Sequence, residues 1–119
     1  FYEEYKEKVI IKHLYGPLFF GFTSYFKDQI KTLPDGIKAV ILRMDRVPYM
    51  DQSGLYTLED IIFDLRAGNK EVILVGLQEQ PRDMLEKVDI IPDLIPEDDV
   101  FDTIEASFVY LKQKLKQEQ

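Results

Sequence analysis

The chain has 119 residues, 45% of them apolar and 31% charged, with no cysteine and a formal net charge of −7. This is the make-up of one globular domain with a real core, and it excludes a disulfide framework and any thiolate nucleophile or metal site. The acidic balance argues against nucleic acid and against direct adhesion to anionic lipid, since both need a basic face.

No apolar run nears the roughly 20 residues that cross a bilayer. Phe1 is followed at once by Tyr2-Glu3-Glu4-Tyr5-Lys6-Glu7-Lys8, which is not a signal peptide. A first residue of Phe instead of Met points to a segment of a longer protein.

In chain order, Val9-Ile10-Ile11 opens a strand running toward Tyr15, Gly16-Pro17 makes a turn, and Leu18-Phe19-Phe20 reads as a short extended segment. Thr23 or Ser24 caps a helix whose apolar face is Phe22, Phe26, Ile30 and Leu33, and Pro34-Asp35-Gly36 ends it. The nearly continuous apolar run Ile37 to Met44 predicts a strand covered on both faces. Leu55, Leu58, Ile62 and Leu65 then recur at helical spacing, with Gly68 as the stop. Val72-Ile73-Leu74-Val75 predicts another buried strand, closed by Gly76, and Pro81 suits the first turn of a helix carrying Met84, Leu85 and Val88. Pro92 and Pro96 keep Asp89 to Glu97 extended or irregular, with at most a short strand. Phe101, Ile104, Phe108, Leu111 and Leu115 form the stripe of a last helix that docks on the sheet. Its end, with Lys112, Lys114 and Lys116, reads as solvated.

Strands alternating with helices predict an α/β fold with a mostly parallel or mixed sheet of four to five strands and about four helices. The whole chain, 1–119, reads as one domain with its core at about 8–115. The turn Tyr49-Met50-Asp51-Gln52-Ser53-Gly54-Leu55 joins a strand end to a helix start, where open α/β folds place their working loops. Asp51 or Ser53 is suited to cap the helix, and Gly54 lets neighbouring backbone come close. Charge placed there also feels the helix dipole, which suits a switch or docking surface.

This turn, together with Gly16-Pro17-Leu18-Phe19-Phe20-Gly21 upstream, resembles the STAS domain shared by anti-sigma factor antagonists and SulP-type anion transporters. Gly16-Pro17-Leu18-Phe19-Phe20 looks like the Gly-Pro-Leu-Phe/Tyr-Phe run of the transporter branch, and Gly76-Leu77 with Pro81-Arg82-Asp83-Met84-Leu85 is similar to a second transporter segment. The resemblance spans about Lys8 to Leu115. In the antagonists a kinase phosphorylates the first hydroxyl residue after the aspartate, and the added charge breaks partner binding. Here that position is Gln52, which has no hydroxyl, and Ser53 matches the second one.

The resemblance therefore implies a regulatory or interaction domain on the cytoplasmic face of the cell (inner) membrane, belonging to a SulP-type transporter of sulfate-like anions. Its site would be Tyr49, Asp51, Gln52, Ser53, Gly54 and Leu55, and Ser53 the residue open to phosphorylation. Its partners would be the transmembrane part of the parent transporter and a cytosolic regulatory protein. The alternative is a free-standing anti-sigma factor antagonist-like binding module. Some relatives are associated with nucleotides, but the chain has no Gly-x-x-x-x-Gly-Lys-Ser/Thr loop, leaving the helix start at Ser53-Gly54 as its one anion site.

No enzyme is indicated, and no cofactor or metal. A phosphoacceptor role for Asp51 needs an acidic pair for Mg²⁺, and none lies near the first strand's end at Gly16-Pro17. His13, the only histidine, has no partners at triad spacing. Glu97-Asp98-Asp99 and Asp102 read as favourable charge before the last helix, since a Ca²⁺ loop would need a turning glycine there.

Overall fold

The computed structural model describes residues 5, 7–18, 28, 30 and 32–117. Four strands, β1 (Val9–Tyr15), β2 (Ala39–Arg46), β3 (Glu71–Val75) and β4 (Val100–Phe101), form a sheet in the order β1-β2-β3-β4. Every pairing is parallel. Three α-helices are described: α1 (Gln52–Ala67), α2 (Glu79–Lys87) and α3 (Ile104–Gln117).

Strand alternation divides the core in two. Val40, Leu42 and Met44 of β2, with Val72 and Leu74 of β3, face α1 and α2 through Leu58, Ile61, Ile62 and Leu85. Ala39 and Ile41, with Ile73 and Val75, point the other way against Leu111 and Leu115 of α3. This split follows from topology. The strands advance across the sheet in chain order, and right-handed crossovers place α1 and α2 on one face. The helix after the last strand covers the other, together with Tyr5 from ahead of β1. Each fully buried Leu or Ile contributes about 1.5–3 kcal/mol, so both faces are needed for a stable sheet.

The apolar runs of β2 and β3, the α1 stripe and Pro81 in the first turn of α2 are found as expected. Leu18 makes a single parallel bridge to Met50, whereas Phe19 and Phe20 lie outside the described residues. So does most of the helix expected after Thr23, although Asp28 and Ile30 are helical, and Ile30 and Leu33 pack against the first core.

Three expectations change. The short strand is not within Asp89 to Glu97, which forms irregular turns around the cis Ile91-Pro92 bond; it follows at Val100–Phe101, beside Leu74 and Val75. Phe101 therefore belongs to a strand, and the last helix starts three residues later, where the Thr103 hydroxyl accepts from the Ala106 N–H at 3.2 Å. Phe101 fits the helical period by coincidence, and a hydroxyl cap overrules it. Val88 is 47% exposed and takes no part in the core.

Candidate functional site

β2 ends at Arg46, at the carboxyl edge of the sheet, and the chain crosses to α1 through Val47-Pro48-Tyr49-Met50-Asp51. Val47 and Met50 are buried and anchor this crossing, while Pro48 and Tyr49 face outward. Asp51 is extended (φ −89°, ψ −179°) and caps α1: its Oδ1 accepts from the Gly54 N–H at 2.8 Å, and its main-chain carbonyl accepts from the Leu55 N–H at 2.9 Å. Such a cap contributes about 1 kcal/mol. It also seats a carboxylate on the helix start, which works against an anion there.

The turn is clamped from two sides. The Leu18 N–H donates to the Tyr49 carbonyl at 3.0 Å, and the Asp51 N–H donates to the Leu18 carbonyl at 3.2 Å. From α2, the side-chain amide of Gln80 meets the backbone of Met50 in both directions. Its Oε1 accepts from the Met50 N–H at 2.9 Å, and its Nε2 donates to the Met50 carbonyl at 3.0 Å. Gly54 lies so close to Leu18 that a Cβ would run into the Leu18 carbonyl oxygen, with the carbonyl carbon at 2.9 Å. Close approach, not an unusual φ, is what requires glycine here.

The six residues expected as a site are thus brought together, but they do not share one surface. Leu55 is only 3% exposed and packs in the core, and Gly54 is buried against Leu18. Tyr49 (45% exposed) and Gln52 face outward, with Asp51 and Ser53 half-buried beside them. The Gln52 Nε2 donates to the Tyr56 hydroxyl at 3.1 Å, extending the outward face along α1. A shallow depression of about 530 Å³ adjoins it, lined by Pro48, Gln78, Glu79, Gln80 and Asp83. Gln80 and Tyr56 were not foreseen. Tyr56 lies four residues from Gln52, a neighbour on any helix, whereas nothing in the spacing announces the long-range Gln80 clamp.

The most elaborate polar cluster lies elsewhere. Asp99 reads from sequence as solvated charge before a helix, yet its side chain is 4% exposed and held by Arg66 Nη2 at 2.8 Å and the Tyr110 hydroxyl at 2.8 Å. Lys114, expected in solvent, donates to Glu71 Oε2 at 3.0 Å and to the Tyr110 hydroxyl at 3.1 Å. Burial pushes the Tyr110 phenol up; its bond to Lys114 opposes this, and Asp99 adds to it. Burial acts to lower the Lys114 pKa, but the bonds to Tyr110 and Glu71 outweigh it and raise the value above that of ordinary lysine. Arg66 Nη2 also reaches the Val72 carbonyl at 3.4 Å. Val72 is on the stretch of β3 that two-residue β4 leaves unpaired, so this cluster covers an open sheet edge.

Among the described residues, no group of three or more His, Asp or Glu side chains is placed to hold a metal, and no helix is long and apolar enough to cross a membrane. A family model described as "STAS domain" matches residues 4–107. The chain belongs to the STAS family. The STAS domain is 37% identical over 76 residues to YvdB of Bacillus subtilis (strain 168), a protein named as a candidate sulfate transporter; the match takes in 60% of this chain and 14% of YvdB. The chain thus spans a small part of that relative's length.

Among solved structures, a sulfate transporter family protein from Wolinella succinogenes superposes with a TM-score of 0.82 at 29% identity, over 91% of this chain and 88% of that one. The STAS domain of a SulP transporter from Vibrio cholerae gives 0.79 at 24% identity, over 92% and 85%. The anti-sigma factor antagonist SpoIIAA shares the fold alone, with 0.72 at 16% identity over 90% of each chain.

Proposed function

We propose that this STAS domain is the cytoplasmic regulatory and interaction module of a SulP-type secondary transporter of sulfate-like anions, and is itself non-enzymatic. The match to YvdB carries the reading, because a transporter-sized relative contains a segment like this chain. The contact surface is the rim formed by Tyr49, Asp51, Gln52 and Ser53, with Gly54 and Leu55 holding its shape from within. A stiff, clamped backbone under outward side chains favours docking, since little conformational freedom is lost on binding. The partner is the transmembrane part of the parent protein, or a cytosolic regulator that competes with it.

The test is radiolabelled sulfate uptake by the full-length parent protein in membrane vesicles. Tyr49→Ala combined with Gln52→Ala should alter uptake while the isolated domain keeps its melting temperature. Uptake equal to that of the unmodified protein would remove the rim from the mechanism, and parent sequence without membrane spans would remove the transporter. In that event the shared SpoIIAA fold supports a free-standing binding module, although Gln52 in place of a hydroxyl residue counts against a phosphorylation switch.

A further inference from the structure

β1 and β2 run parallel, so both end at the carboxyl edge of the sheet. Leu14 and Met44 turn into the first core there, and the alternate residues His13, Tyr15 and Arg43 lie on the opposite face. α3 leaves this corner open: His13 is exposed, and Tyr15 is 63% exposed. The corner holds a cleft of about 180 Å³ lined by His13, Leu14, Tyr15, Arg43, Asp45 and Arg46. Clefts for drug-sized ligands measure about 300–1,000 Å³, so this one suits a single small ion.

Its charge is set by a slip in pairing. His13 lies opposite Arg43, and regular pairing would put Asp45 opposite Tyr15. The register shifts between them and brings Arg46 there instead. An irregularity of this kind re-aims side chains at a strand end. The Arg46 guanidinium carbon lies 5.8 Å from the centre of the Tyr15 ring, on which His13 also stacks at 6.2 Å. The ring steadies the cation without neutralising it. Arg43 has the Asp45 carboxylate at 3.2 Å, whereas no carboxylate pairs with Arg46 among the described residues. Two guanidinium groups thus share one carboxylate, a positive surplus on a chain of net charge −7. The planar fork of a guanidinium matches the geometry of an oxyanion. The carboxyl ends of parallel strands are also where open α/β sheets bind ligands. The helix start at Ser53-Gly54 has no such surplus, because the Asp51 carboxylate is seated on it.

We infer that this cleft binds a small oxyanion of the sulfate or phosphate class, with Arg46 and Arg43 as its charged donors and the His13 ring N–H as a further donor. Tyr15 is the platform that holds Arg46 in place. The inference concerns the domain alone and holds whether or not the parent protein is a transporter.

The experiment follows the backbone amides of the 119-residue chain by two-dimensional NMR. Sodium sulfate or sodium phosphate replaces sodium chloride at constant ionic strength. Saturable shifts should centre on residues 13–15 and 43–46, with a dissociation constant of about 1 mM. Arg46→Gln should weaken binding about tenfold, the worth of one charge-assisted hydrogen bond. Tyr15→Leu, which keeps both cations, should weaken it about threefold. Arg82→Gln removes a cation of α2 that is already paired with Glu97, and should change binding less than about twofold. Equal losses from Arg46→Gln and Arg82→Gln would reveal general charge screening and overturn the inference. Shifts that fail to saturate would overturn it too, as would saturable shifts centred on Ser53 and Gly54, which would return the anion to the helix start.

Discussion

The carboxyl-edge rim and the Arg66–Asp99–Tyr110 cluster use polar groups in opposite ways. At the rim, Asp51, Gln80 and Leu18 hold backbone, and Tyr49 and Gln52 are left pointing outward. In the cluster, charged side chains hold one another and fasten α1 and α3 around the sheet edge. A search for buried charge and shifted pKa values alone would select the cluster as the active region. Its geometry is that of a seam: Asp99 is enclosed, and its partners are on different elements. The rim has no such electrostatic signature, yet it alone combines a fixed backbone with outward side chains.

The largest expected effect breaks this contrast on the seam side. Asp99→Ala leaves the Arg66 guanidinium without its closest carboxylate and should destabilise the domain by about 3 kcal/mol, measured by urea denaturation. A loss below about 1 kcal/mol, the worth of an ordinary surface pair, would mean that the seam fastens nothing. Next is Gly54→Ala at the rim. Its new methyl meets the Leu18 backbone, which cannot rotate away as a side chain could, and the cost should be about 2 kcal/mol. An unchanged denaturation midpoint would show that the clamp is loose.

The smallest effect separates the two regions by pH. Tyr110 and Lys114 both have pKa values raised in the folded state. Each holds its proton more tightly when folded, so its contribution is whole below about pH 10 and is lost as pH climbs through the raised values. Stability should therefore fall with rising pH above about 10, and Lys114→Met should flatten that fall. An identical slope in the variant would place the alkaline sensitivity elsewhere.

The parts of this architecture that repeat locally could be read from sequence. Continuous apolar runs announced β2 and β3, helical spacing announced α1, and the Asp-Gln-Ser-Gly turn announced its cap. The parts set by distant partners could not. Asp99 looked like solvent-facing charge because its bonds lead to Arg66, 33 residues earlier, and Tyr110, 11 residues later. The Gln80 clamp reaches back 30 residues to Met50. Phe101 failed for a different reason. A two-residue strand leaves no alternation to detect, and the phase of the following helix absorbed it. At the site, sequence placed all six residues on one turn but could not show that Leu55 and Gly54 face inward while Tyr56 extends the outer face.

The placing of α3 on the second face of the sheet has a consequence for synthesis. Ala39, Ile41, Ile73 and Val75 finish their strands well before Leu111 and Leu115 are made. Translation at about 5–20 residues per second separates those events by seconds. For that interval a nascent sheet carries a bare aliphatic face, with Tyr5 its one earlier aromatic cover among the described residues. A ribosome stalled before α3 would leave that face open to chaperones or to other unfinished chains.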